Sequence, residues 1–520
     1  MTTKLLSQLH NKKINARFSS YTLSALFYLS IFLLGMGLAA CTVGPNYQRP
    51  NLDLQESWAA ASDNIDKVTL THWWQQFDDS RLNELLQIGR ENNQALHAAA
   101  VRIAQAQAQL GIAAAPMLPI VQLSFGRTYT KPDALSQLQN KTTGSTSQQL
   151  SLQASWEPDL WGAVSRGTES DAANWASTIA AYQAGMVALE ANIATLYFNI
   201  RTLETRLQVA DSNLAQQQEN LRIASARFRA GAVSEQDVSQ AQVLYEQTRA
   251  NLPVLRTALQ QSQHGLSVLL GKTPDFYQKH YSAGITMPKV PRQIPASIPR
   301  DLLQRRPDIL QAEYAAIAQS ARIGQAKSAL FPSFSLGGSF GYQSTNSGTN
   351  KLDDLFKWSN PISSLTGSLL FPIFNHGLLV NQVRVQDAIF QQAVLNYQAQ
   401  VLSAQQEVED ALSNITGYRH VLESLTTART AARRSTTLAL ERYKAGASDF
   451  TTVTAAYQAQ LQVEDGLAQA QGNLLQSFVS TYRALGGSWD GKLTATLPDS
   501  LIRQMRTRTH WGNALTLPSQ

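Results

Sequence analysis

Apolar positions in two long stretches step 3-4-3-4 over many turns, the spacing that lays one stripe along a coiled α-helix. Met186, Leu189, Ile193, Leu196, Ile200, Leu203 and Leu207 follow it in the first stretch, and Val394, Tyr397, Val401, Ala404, Val408, Ala411 and Ile415 in the second. Each stretch has room for a helix of about 60 residues, roughly 90 Å at 1.5 Å per residue. That is about three times the hydrocarbon thickness of a bilayer. The Gln, Arg and Asp content of these stretches bars them from lipid, so they read as aqueous coiled helices.

Four other segments switch to a period of two. Val121, Leu123 and Phe125 alternate with Gln122, Ser124 and Gly126, and Leu150, Leu152, Ala154 and Trp156 with Gln149, Ser151, Gln153 and Ser155. Later, Phe334, Leu336, Phe340 and Tyr342 alternate with Ser333, Ser335, Ser339 and Gly341, and Leu365, Leu369 and Phe371 with Thr366 and Ser368. Strands that are apolar on one face and small or polar on the other suit either a half-buried globular sheet or a membrane barrel with a wet interior.

These elements come in the same order twice. Gly111 answers Gly324 at an offset of 213, Pro158 answers Pro372 at 214, and Gly231 in ARFRAGAVSEQDV answers Gly446 in ERYKAGASDFTTV at 215. A nearly constant offset through helix, strands and turn marks an internal duplication. Residues 271–300, with Pro274, Pro288, Pro291, Pro295 and Pro299, read as an extended linker between the halves. The expected organisation is a leader over 1–40, an extended segment over 41–80, a first repeat over 81–270, the linker, a second repeat over 301–487 and a tail over 488–520.

Each repeat offers two strands, and a lipid-exposed sheet must close so that no backbone edge stays unpaired. Closed membrane barrels start at about eight strands, so one chain cannot close its own and copies must share a barrel. The polar segments 130–146 and 343–360 then fall as outer loops.

Composition narrows the chemistry further. Of 520 residues, 43% are hydrophobic and 15% charged, and Cys41 is the only cysteine, which excludes an intrachain disulfide framework and a thiolate metal cluster. The net charge of +6 includes Lys4, Lys12, Lys13 and Arg17 of the leader, and the remaining cations are dispersed without a phosphate-tracking stripe, so a nucleic-acid partner is not expected. The charged start, the apolar stretch 18–38 and the small residues before Cys41 have the layout of a secretory signal, with an uncleaved anchor helix as the alternative. Leu38-Ala39-Ala40-Cys41 resembles a bacterial lipobox, which implies cleavage and acylation at Cys41. Gly337-Gly338-Ser339-Phe340-Gly341 matches G-x-S-x-G, but that motif needs a strand-to-helix elbow and Ser339 lies in an alternating strand. The eight histidines are scattered without ligand spacing, so neither an enzyme nor a metal or other cofactor is expected.

The segments CTVGPNYQRP (41–50), WWQQFDDSRLNELL (73–86), DLLQRRPDILQAE (301–313), ALFPSFSLGGSFGY (329–342) and PIFNHG (372–377) together resemble the lipoprotein branch of the TolC-like outer-membrane efflux proteins. The resemblance implies an α+β membrane protein: a homotrimer with a 12-stranded transmembrane β-barrel, four strands per chain, above a long periplasmic α-helical coiled-coil tunnel. It implies an outer-membrane location, a gated exit duct for small molecules, and partners in a periplasmic adaptor and an inner-membrane RND-type transporter. Gly231, Ala232, Val233 and Ser234 on one hairpin, and Gly446, Ala447 and Ser448 on the other, match the tips where the adaptor docks. Relatives often carry acidic side chains beyond the second tip turn, where this chain has Thr452 and Ala455; Asp449 is left as the only acid on that short stretch, read either as a solvated tip carboxylate or as part of a gate region with Thr452 and Ala455. Arg305, Arg306, Pro307 and Asp308 form a family signature read as structural, with Pro307 starting a helix and Asp308 complementing its dipole. Two other functions fit the same pattern: a duct for type I protein secretion, and a lipid-anchored periplasmic coiled-coil scaffold.

Overall fold

The computed structural model describes residues 42–52, 70–131, 144–281, 287–291, 306–345, 355, 361–512 and 515. The leader with Cys41, Arg305, residues 282–286 and 292–300 of the linker and most of both strand-joining loops lie outside the described residues. A 3-10 helix (Leu70–Phe77) leads into α1 (Ser80–Asn92), α2 (Gln94–Ala114), β1 (Ile120–Thr130), β2 (Ser145–Trp156), α3 (Ala163–Arg229), α4 (Glu235–Leu269) and the short α5 (Phe276–His280). The second half runs through α6 (Pro307–Ser328), β3 (Ser333–Thr345), β4 (Pro361–Leu370), α7 (Leu378–Lys444) and α8 (Phe450–Ala484), and α9 (Asp499–Arg508) follows. The long helices α3 and α7 both have 67 residues, and α4 and α8 both have 35.

The contacts divide the chain into two compact units, and each repeat contributes to both. One comprises Ala106–Trp175, Ala315–Val394 and the described residues up to Arg49; the other begins at Pro50 and holds Ala176–Tyr314 and Leu395–Gln520.

The first unit contains an antiparallel sheet in the order β1-β2-β3-β4. Its register gathers the alternating residues onto two faces. Val121, Ala154, Gly338 and Leu365 stand in one row across the strands, with Leu123, Leu152, Phe340 and Ser363 in another row on that face. On the opposite face Gln122, Gln153, Ser339 and Ser364 form a row. Apolar side chains on the first face are widely exposed, Leu365 at 87% and Leu123 at 70%. The polar face is concave: Gln122, Gln153, Ser339, Ser364 and Thr366 line a hollow of about 270 Å³ that reaches all four strands. Arg127 is the only charged residue on the four strands, and it belongs to the apolar face near the β1 end that leads into the loop. β1 and β4 are the outer strands, each paired on one side within the chain.

The second unit is cored by helices and by the Trp73 region. Trp73 and Trp74 are buried, and Trp73 stacks on Tyr482 at 5.0 Å, so these two tryptophans pack the core. Trp161, in the first unit, stacks on Phe331 at 4.8 Å and donates to the Pro332 carbonyl at 2.6 Å. Arg306 is buried where three helices meet. It pairs with Asp308 at 2.6 Å and Glu407 at 2.8 Å and donates to the Ala484 carbonyl at 3.1 Å. Pro307 is the first residue of α6, where a missing N–H costs nothing. Among the described residues no helix is long and apolar enough to cross a membrane.

Candidate functional site: the paired helical tips

Each long helix ends in the same turn because each supplies a glycine where the backbone must turn left-handed. Gly231 has φ +71° and Gly446 φ +74°. At the first tip Gly231 N donates to Phe228 O at 2.9 Å and Ala232 N to Arg227 O at 2.9 Å. At the second, Gly446 N donates to Tyr443 O at 3.0 Å and Ala447 N to Arg442 O at 2.9 Å. This paired bonding satisfies carbonyls that a helix end otherwise leaves open.

Behind the turns, the two hairpins share one apolar cluster. Ala224 of α3, Ala241 and Leu244 of α4, Tyr443 of α7, and Phe450, Val453 and Tyr457 of α8 pack together, with Val233 at its margin. Tyr443 and Phe450 meet edge to face at 5.1 Å. The Arg227 guanidinium lies 4.7 Å over the Tyr443 ring and also donates to the Tyr443 carbonyl. Burial, with the Asp237 carboxylate nearby, pushes the Tyr443 phenol above its ordinary value. Gly231, Ala232, Ser234, Gly446 and Ala447 are exposed, while Val233 and Ser448 are half-buried. The tips thus present small, accessible side chains over a fixed apolar base.

Asp449 precedes α8 and accepts from the Thr452 backbone N–H at 3.1 Å and the Thr452 hydroxyl at 3.0 Å, the geometry of an N-cap. Ser234 occupies the corresponding place before α4 without such a cap, its hydroxyl lying 3.4 Å from Asp237. Thr452 and Ala455 are exposed on α8. Arg306, Pro307 and Asp308 are remote in sequence from the tips and belong to the helix joint described above, where Gln400 donates to Asp308 at 2.7 Å.

Arg227 and Tyr443 are the tip residues that the sequence pattern did not single out. The available signal was positional: each sits three or four residues before its turn glycine, in a segment repeated at the 215 offset. Ser339 of the G-x-S-x-G match lies inside β3, its hydroxyl 2.7 Å from the Ser364 hydroxyl, so no nucleophile elbow exists there. Among the described residues no group of His, Cys, Asp and Glu could hold a metal ion.

The profile of the outer membrane efflux protein family matches residues 85–272 and 298–487. The chain is similar to the pyoverdine export outer membrane protein OpmQ of Pseudomonas putida, 30% identical over 469 residues that cover 89% of this chain and 97% of that protein. It is 26% identical to the cation efflux system protein CusC of Escherichia coli, over 88% of this chain and 98% of that one. Among solved structures, the outer-membrane channel OprN superposes with a TM-score of 0.79 at 30% identity, covering 86% of this chain and 99% of that chain.

Proposed function

The chain belongs to the outer membrane efflux protein family, and from that membership we propose that three copies build one outer-membrane exit duct whose helical tips receive a periplasmic adaptor. The protein is an efflux channel of the outer membrane and not an enzyme. The observation that carries the trimer is the open sheet: one face apolar and exposed, one polar and concave, and two edges that a single chain leaves without a neighbour. An edge in hydrocarbon leaves several backbone groups unpaired at several kcal/mol each. Pairing β1 of one copy with β4 of the next around a three-fold axis removes every edge and gives twelve strands.

The duct conducts by offering a gated, water-filled path, and an RND-type transporter of the inner membrane energises it through the adaptor. Gly231 to Ser234 and Gly446 to Ser448 form the docking tips, supported by their exposure and their shared apolar base. Asp449, Thr452 and Ala455 form the gate region, with Asp449 acting as the cap that orders the start of α8. Cys41 carries the lipid anchor in the outer membrane; loss of palmitate labelling in Cys41→Ser is the expected result, and retained labelling would refute it. Pyoverdine and cations, named for two relatives, favour small solutes over protein as cargo.

The test is planar-bilayer conductance of the purified protein together with efflux by a deletion strain. Conducting trimers and loss of efflux are expected. A protein that forms no pore even with a loosened tip would defeat the reading.

A further inference from the structure

Toward the helical end of its strands, the concave face of the sheet changes character. Gln122 gives way to Ile120 at the start of β1, and Ser364 and Thr366 give way to Ser368 and Leu370 at the end of β4, all on the side that lines the polar hollow. Ile120 and Leu370 are exposed there. At this end the sheet, the α2–β1 and β2–α3 connections and the α6–β3 connection enclose a cavity of about 930 Å³, wholly within the first unit. Pockets of about 300–1,000 Å³ take drug-sized molecules.

Aromatic and aliphatic residues make up much of the wall, among them Leu118, Ile120, Trp156, Trp161, Phe331 and Leu370. The two indoles are held in place. Trp156 donates to the Met117 carbonyl at 3.2 Å, and Trp161 is fixed by its stack on Phe331 and its bond to the Pro332 carbonyl. A wall ordered in advance loses little freedom when a ligand lies against it, and aromatic faces attract cations.

Among the described residues lining the cavity, Glu157 and Asp159 are the ionisable ones, and both are acids. Their situations differ. Asp159 accepts from the Val164 and Ser165 backbone N–H groups at 2.9 and 2.7 Å and from the Ser165 hydroxyl at 2.6 Å, so its charge is committed to the start of α3. Glu157 is exposed and has no ion-pair or hydrogen-bond partner among the described residues. The passage from strand to helix does not call for that acid: at the 214 offset that aligns Pro158 with Pro372, Glu157 corresponds to Phe371. An uncommitted carboxylate beside an apolar, aromatic wall attracts a cation with an apolar body and repels an anion.

We propose that this cavity is a transit site for amphiphilic organic cations, which lay their apolar body against the aromatic wall and turn their charge toward Glu157. This rests on the channel reading above, which puts the concave face in the duct. Rhodamine 6G, an aromatic cation, is expected to bind the purified trimer in lipid nanodiscs, read by fluorescence anisotropy with uptake by empty nanodiscs subtracted, and the anion fluorescein is not. Glu157→Gln should weaken rhodamine 6G binding about tenfold or more, the scale of a lost charged contact, and Glu157→Asp should keep most of it. Gly337 lines the cavity, and a Cβ there would meet nothing within 4 Å, so Gly337→Phe should fill the cavity and abolish binding at unchanged trimer yield. A parent trimer that binds neither dye or both alike, or Glu157→Gln and Gly337→Phe trimers that bind rhodamine 6G like the parent, would overturn the site and leave the channel reading to stand on the parent's conductance. A parent that binds the dye but conducts nothing would instead remove the channel reading, and transit with it.

Discussion

Arg227 closes a helix to which it does not belong: its guanidinium covers the Tyr443 ring at 4.7 Å and donates to the Tyr443 carbonyl at the end of α7. A cation at a helix C-terminus meets the negative end of the macrodipole, and its contact with the ring adds a cation–π attraction. The first tip thereby stabilises the turn of the second.

Removing that side chain should loosen both tips without touching the sheet. Arg227→Ala is expected to cost about 1–3 kcal/mol of local stability, from the lost charged hydrogen bond and ring contact. Amide hydrogen exchange over residues 440–450 should then speed up about tenfold or more, with trimer yield unchanged. Exchange rates equal to those of the parent would show that the contact holds nothing.

Gly446 separates turn geometry from docking. An ordinary L-residue at φ +74° costs about 1–2 kcal/mol, whereas Asn tolerates this region. Gly446→Asn should keep most of the export, while Gly446→Trp should lower it severalfold and reduce cross-linking to the adaptor, with trimers intact. Full export by Gly446→Trp would remove the tip from the docking surface.

Two adjacent positions in β4 should respond in opposite ways. Leu365 stands on the apolar face and Ser364 on the polar one. An Arg on a lipid face near the bilayer midplane costs about 2–4 kcal/mol, and a trimer carries three copies. Leu365→Arg should sharply reduce the yield of membrane-inserted trimer, and Ser364→Arg should leave it near the parent level. Equal yields would mean that the faces have been assigned the wrong way round.

The helix joint at Asp308 should weaken in acid. Burial raises its carboxyl pKa, but the hydrogen bonds and charge of Arg306, with the Gln400 amide, outweigh burial and hold it below the ordinary value. A depressed folded-state pKa stabilises the protein above the unfolded value of about 3.9, and this contribution disappears as pH falls through the folded value. Melting temperature measured from pH 6 to pH 2 should therefore fall at the acid end, and Asp308→Asn should flatten that part of the curve. An identical acid slope in the variant would count against the joint.

What sequence reasoning could reach follows from how far each pattern depends on distant partners. The strand faces were legible because alternation is local: Leu123 and Gln122 declare opposite faces wherever the strand is placed. The tip glycines were legible for the same reason, since a left-handed turn is set by a few consecutive residues. Asn213 was not legible, because it lies off the apolar stripe and its partner, Glu464 of α8, stands some 250 residues onward. Trp73 is placed in the core by its stacking on Tyr482, a residue distant in the chain, which no local pattern around Trp73 announces.

The concave side of the sheet carries amides, hydroxyls and glycines, and Arg127, the single ion on the four strands, belongs to the other side. In the proposed duct, these strands therefore contribute no ring of fixed charge, so they set up no Donnan exclusion, and any sorting of solutes by sign falls to other stretches of the route.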